Sequence, residues 1–194
     1  MSAAKLAQLP DDAVPELAFV GRSNAGKSSA LNTLCQKKAL ARVSKTPGRT
    51  QLINLFEIPG ARLIDLPGYG FAAVPGSVRQ DWAKLIGGYL ETRATLRLLV
   101  VIMDCRHPLT NLDVQMLDWA QAARRPCHIL LTKADKLSRG AAASTLLQVQ
   151  AGLKRWGEDF TAQLFSSHTV IGVEEARSVV QAHVRAALAE NDGQ

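Results

Sequence analysis

Cysteine is scarce in this 194-residue chain: three residues, odd in number and scattered at positions 35, 105 and 127. That excludes a disulfide-stapled scaffold, and the spacing is not that of a metal knuckle. Cys35, Cys105 and Cys127 are expected to be buried free thiols. Long apolar runs are missing as well. The best, "LRLLVVIM" (Leu96 to Met103), is strand length, so no bilayer-spanning helix is expected. The opening "MSAAKLAQLPDDAVPE" has no apolar core of a secretory signal, which makes a cytoplasmic location the expectation. Internal repeats, low-complexity tracts and Gly/Ser linkers are lacking too, which argues against an array or tethered modules.

What is present fits one globular domain. The hydrophobic fraction is 47%, enough for a sizeable core at this length. Lys and Arg number 23 against 17 Asp and Glu, a net charge of +6, which permits an anionic partner such as RNA without requiring one. Residues 1–15, rich in Ala, Asp and Pro, read as a flexible arm, and residues 16–194 as a single domain. Short apolar runs at 16–20, 51–58, 61–66, 96–104, 127–132 and 161–166 read as six strands. Helical patterns lie between them, near 27–36, 77–92, 111–124, 138–155 and 173–189. In the last, Val173, Ala176, Val180, Val184 and Ala187 share one face. Pro59-Gly60 suggests a hairpin between the second and third strands; elsewhere strands and helices alternate. The expected fold is α/β: three layers, a six-stranded, mostly parallel sheet with one antiparallel strand, and helices on both faces. Ligands of such sheets bind at the carboxyl ends of the strands.

The motifs fall at those ends. "GRSNAGKS" after the first strand reads G-x-x-x-x-G-K-S. Gly21, Arg22, Ser23, Asn24, Ala25 and Gly26 form a loop whose N–H groups can surround a phosphate chain, and the helix opening at Lys27, Ser28 and Ser29 adds its positive end. Lys27 supplies a cation to the β/γ-phosphates, and the Ser28 hydroxyl can ligate Mg²⁺. Kinases, ATPases and GTPases share this loop, so it does not name the base. "TKAD" (Thr132, Lys133, Ala134, Asp135) ends the fifth strand. The Asp135 carboxylate can accept from guanine N1–H and the 2-amino group, whereas adenine would leave it facing a lone pair. The Lys133 stem can pack along the base. The plain alternative is that Asp135 caps the following helix. "FSS" (Phe165, Ser166, Ser167) ends the sixth strand, where backbone N–H groups can meet the guanine 6-oxo group.

"DLPG" (Asp65, Leu66, Pro67, Gly68) closes the third strand. Asp65 can hold a Mg²⁺-bound water, and the Gly68 N–H can meet the γ-phosphate. Upstream, "SKTPGRTQ" runs into Leu52, and Gly48, Arg49, Thr50, Gln51 and Leu52 belong to the expected nucleotide side. Thr50 can complete the Mg²⁺ shell, with Thr46 as its rival. Both stretches are expected to order with the γ-phosphate and release after hydrolysis.

This order of motifs resembles the Ras-like, translation-factor-type GTPases over about residues 16–190. Narrower strings, "GRSNAGKSS", "SKTPGRTQLIN", "DLPGYGFA", "DCRHPLTNLDVQMLDW" and "TKADKLS", resemble the EngB (YihA/YsxC) family of small bacterial GTPases, within the TrmE-Era-EngA-EngB-septin-like group. Arg106, His107, Pro108, Leu109, Asp113 and Met116 carry the most distinctive part. The resemblance implies GTP and GDP as ligands, Mg²⁺, slow intrinsic hydrolysis, and a switch role in assembly of the large (50S) ribosomal subunit. The implied partner is that subunit or an assembly intermediate with its rRNA and ribosomal proteins; a monomer without membrane contact is expected, and a role in cell division and septation is implied as well. Lys27, Thr50 and Gly68 are the implied catalytic residues. Many relatives carry Gln after the DxxG glycine, but Tyr69 stands here. Asn24 can instead help hold a K⁺ ion near the phosphates, or serve simply as a turn residue. His107, a lone histidine beside Pro, reads as structural. Lys37, Lys38, Arg42, Lys45 and Arg49 cluster before Thr50 and can meet RNA phosphates; no aromatics interleave, so base stacking is not suggested. Two other classes fit less well. A small-molecule P-loop kinase would lack TKxD, and a plain RNA-binding module would use its nucleotide only structurally.

Overall fold

The computed structural model describes residues 1–36, 52–70 and 76–192, except for the side chains of 79, 191 and 192. Seven strands form one sheet in the order β1-β3-β4-β2-β5-β6-β7. They are β1 (Ser2–Ala3), β2 (Glu16–Gly21), β3 (Ile53–Ile58), β4 (Ala61–Asp65), β5 (Leu96–Asp104), β6 (Cys127–Thr132) and β7 (Phe160–Leu164). β3 runs against both its neighbours, and the pairings from β4 to β7 are parallel. The five α-helices among the described residues are α1 (Lys27–Leu34), α2 (Gly76–Thr92), α3 (Asn111–Ala122), α4 (Arg139–Leu153) and α5 (Val173–Asp192). The expected mostly parallel three-layer α/β fold is therefore found, with an additional edge strand.

Alternation along the strands divides the core in two. On β5, Val101 and Met103 face one side, with Ile86, Leu90, Leu117 and Val149 from α2, α3 and α4. Val100 and Ile102 face the other, with Ala30 and Leu31 of α1 and Val184 of α5. β5 is buried along nearly its whole length because helices cover both faces, which is why it reads as a continuous apolar run.

The expectation for residues 1–15 is corrected. Ser2 and Ala3 pair antiparallel with Asn54 and Ile53, and Ala3 and Leu9 are buried. Two arginines fasten the rest. Arg62 makes a two-pronged contact with Asp12 at 2.7 and 2.8 Å, and Arg93 donates to the Pro10 carbonyl at 2.6 Å. Arg93 also holds the fully buried Glu16 carboxylate, which accepts from the Tyr89 hydroxyl at 2.8 Å. A buried carboxylate with three donated bonds is tolerated because each donor offsets lost hydration. Of the cysteines, Cys105 and Cys127 are buried as expected, while Cys35 is half-buried.

Candidate functional site

Every described motif lies at the carboxyl edge of the sheet, at the end of β2, β4, β6 or β7. Gly26 precedes α1 with φ 99°, a left-handed conformation, and has no side chain to cap the helix. The first turn of α1 thus follows a sharp bend with no capping side chain at Gly26, as an anion site needs. Asn24 is also left-handed, at φ 63°. Ala25 N donates to the Arg22 carbonyl at 3.0 Å, closing the turn.

The "DLPG" stretch lies against this loop. Tyr69 N donates to the Gly21 carbonyl at 3.1 Å, and Ser23 N donates to the Tyr69 carbonyl at 2.7 Å. Lys27 forms an ion pair with Asp65, placing the P-loop cation and the expected Mg²⁺ carboxylate side by side.

The base motif touches the loop from the other side. The Thr132 hydroxyl donates to the Ala25 and Met103 carbonyls. Lys133, left-handed at φ 59°, donates its ammonium to the Asn24 carbonyl at 2.7 Å. Asp135 does not cap a helix: α4 begins at Arg139, and Ser138 caps it by accepting from Ala141 N at 3.3 Å. Asp135 instead accepts from the Ser166 hydroxyl at 2.7 Å, so the "TKAD" and "FSS" motifs meet. That hydrogen bond, with Lys136 close by at 3.3 Å, holds the Asp135 carboxyl below its ordinary value. It therefore remains an ionised acceptor at neutral pH, as guanine recognition demands. Ser166 also accepts from His168 N and Thr169 N, and Ala134 N donates to the Phe165 carbonyl. Ser167 follows in the same turn, half-buried. Leu66 is buried, and the Pro67 carbonyl accepts from the Trp82 indole at 2.9 Å. Leu52 immediately precedes β3; Thr46, Gly48, Arg49, Thr50, Gln51 and the cations from Lys37 to Lys45 lie outside the described residues.

The comparisons bear on this geometry. Residues 16–133 match the family described as 50S ribosome-binding GTPase. "Probable GTP-binding protein EngB" of Azoarcus sp. (strain BH72) is 55% identical over 194 residues, covering 99% of this chain and 93% of the relative. The chain belongs to the EngB family. The protein of the same description from Coxiella burnetii (strain RSA 331 / Henzerling II) is 53% identical over 180 residues, covering 92% of this chain and 88% of that one. Among solved structures, "Crystal structure of a probable GTP-binding protein engB" superposes with a TM-score of 0.70 at 20% identity, covering 88% of this chain and 99% of that one. At that identity the likeness concerns the P-loop GTPase fold alone.

The residues that carried the EngB resemblance now have physical roles. Leu109 is left-handed at φ 54° and packs on the larger core. Asp113 accepts from Thr110 N and its hydroxyl at 2.9 and 2.8 Å, a capping box that starts α3. It also accepts from the Tyr69 hydroxyl at 2.6 Å, with both residues buried. Met116 is core, and His107 is exposed. Tyr69 therefore points its phenol at α3 and packs against Trp82, ring centres 5.7 Å apart. Burial, with Asp113 beside it, raises the phenol's pKa well above the ordinary value, so it stays protonated. EngB membership alone would not have revealed the cluster of Asp104, Arg106 and Lys133. Only the end of β5 beside β6 in the folded sheet brings it together.

No helix among the described residues is long and apolar enough to cross a membrane.

Proposed function

We propose that this protein binds GTP at the carboxyl edge of its sheet, hydrolyses it slowly, and acts as a nucleotide-dependent switch on the large ribosomal subunit during assembly. The observation that carries the reading is the pairing of two half-sites. A phosphate loop and a base motif that ends in a guanine-matching carboxylate are joined by the Lys133–Asn24 bond, in a chain of the EngB family. GTP is the ligand that uses both. Mg²⁺ fits the donors present. Ser28, in the first turn of α1, and Asp65, at the end of β4, are hard oxygen donors, and Lys27, next to Ser28, touches Asp65. Ser28 would hold the ion directly and Asp65 through water, with Thr50 completing the set. Bound there, Mg²⁺ supplies charge neutralisation of the β- and γ-phosphates.

The residues divide the remaining work. Lys27 and the loop N–H groups hold the phosphates, and the Gly68 N–H meets the γ-phosphate. Tyr69 supplies no amide to orient water, and its hydroxyl is committed to Asp113. Intrinsic turnover is therefore slow, and Asn24 would help hold a K⁺ ion near the phosphates, where it would supply a substitute charge. Equal rates in K⁺ and Na⁺ would remove that step. The anionic partner is rRNA in the assembling subunit, met by the basic segment before Thr50. A cytoplasmic monomer with an associated effect on septation completes the reading.

The test is co-sedimentation with large subunits at fixed salt, without nucleotide, with GDP, and with a non-hydrolysable GTP analogue. Binding mainly with the analogue supports the switch. Equal binding in all three favours an RNA-binding module whose nucleotide is structural.

A further inference from the structure

We propose that Asp104, at the end of β5, is a positioning residue for the guanine site, holding the Lys133 ammonium against the phosphate loop. The inference rests on the GTP reading above and assigns a function to a residue outside its motifs.

Asp104 is 6% exposed, and its carboxylate is almost fully engaged. Oδ1 accepts from Arg106 N at 3.1 Å and Arg106 Nε at 2.9 Å. Oδ2 accepts from Arg106 Nη2 at 2.6 Å and lies 2.9 Å from Lys133 Nζ. The Arg106 fork, followed by Lys133, keeps the Asp104 carboxyl far below its usual value, so it remains an anion. Lys133 is thus held from two directions, by Asp104 at one side and the Asn24 carbonyl at the other.

Asp104 lies at the edge expected to receive a polyanion, where an acid is unfavourable unless offset. Arg106 and Lys133 offset it and leave the trio at net +1. The gain is geometric. A lysine side chain has many rotamers, and fixing one is costly. Asp104 fixes this one before nucleotide arrives, so the stem is already laid where the base must stack. The backbone agrees. Three successive residues, the last two of β5 and the one after it, grip the base motif. The Met103 carbonyl accepts from Thr132, Asp104 takes the Lys133 ammonium, and Cys105 donates N to the Thr132 carbonyl and Sγ to the Lys133 carbonyl. Thr132 and Lys133 in turn hold the Ala25 and Asn24 carbonyls of the phosphate loop. A lysine kept left-handed is held by its surroundings, and Asp104 is the charged member of them.

The experiment is a double-mutant cycle on release of a fluorescent N-methylanthraniloyl-GDP, followed by stopped flow. Asp104→Asn keeps the shape and removes the charge; Lys133→Met keeps the stem and removes the ammonium. Each is expected to speed release about tenfold, the scale of a hydrogen bond to a charged group. The double variant is expected to release no faster than the faster single, because Asp104 acts through the ammonium that Lys133→Met already removes. Effects that multiply to about a hundredfold overturn the proposal, as does release by Asp104→Asn within about twofold of the unaltered protein. Melting of the nucleotide-free variants is measured alongside. If Asp104→Asn does not fold, Asp104→Ser takes its place in the cycle. If neither folds, Asp104 serves the fold and the assignment falls. Failure of the unaltered protein to bind the probe overturns the guanine reading itself and is seen before any variant is made.

Discussion

Replacing Tyr69 by Phe separates two roles that its position allows. The ring packs against Trp82 and is retained, so no cavity opens. What is lost is one buried hydrogen bond to a carboxylate, at 2.6 Å. Such bonds contribute ~1.5–3 kcal/mol. Asp113 keeps both Thr110 bonds, so the lower part of that range applies, about 1.5–2 kcal/mol. A domain of this size shifts in Tm by ~2–4 °C per kcal/mol, which gives a fall of about 3–8 °C. Circular dichroism melting of the nucleotide-free protein reads it. GTP turnover per folded molecule should be unchanged, because the hydroxyl faces α3. A Tm within about 1 °C of the unaltered protein would refute the energetic reasoning. A loss of turnover of about 10²-fold, the size expected of a group acting on the attacking water, would refute the geometric one.

Asp135→Asn should exchange guanine for xanthine preference, since the amide donates where the carboxylate accepted; competition between GDP and XDP measures it, and unchanged GDP affinity would sink the assignment. Gly172→Ala should cost about 3 kcal/mol or more in a denaturant melt, because φ is 70° and a Cβ would stand 2.0 Å from the Leu164 carbonyl oxygen. His128 is buried between Thr161 and Gln163 at 2.7 and 2.9 Å, and burial lowers its pKa. The folded state thus prefers the neutral ring: its contribution is present above the unfolded value near 6.5 and is lost as pH falls below it. Stability should decline from pH 7 to pH 5, and His128→Gln should flatten that slope.

Periodic elements were legible in the sequence. The five helices begin within one residue of their expected starts, because each needs an apolar face and the strands between them do not share its period. The phosphate loop was legible because its conformation requires particular residues at particular positions. β1 was not, for Ser-Ala is too short to show alternation, and its partner lies some fifty residues away. Glu16, Tyr89 and Arg93 read separately as a strand residue and two helix-end residues; only the fold makes them one network. Asp135 was ambiguous for a local reason. Asp and Ser both start helices, and Ser138, three residues on, took that role. Tyr69 could be recognised as a departure from glutamine, but its bond to Asp113 spans 44 positions and left no local trace.

The short strand β1 also bears on how the protein can be handled. An outer strand with unpaired amides is a template for another chain, and β1 occupies that place along β3 at Ile53 and Asn54. Trimming the first nine residues would remove that cover along with the buried Ala3 and Leu9. The shortened protein should therefore self-associate through β3, and a purification handle that pulls on the amino end should do the same in milder form. Handles attached after α5 leave β1 in place on β3.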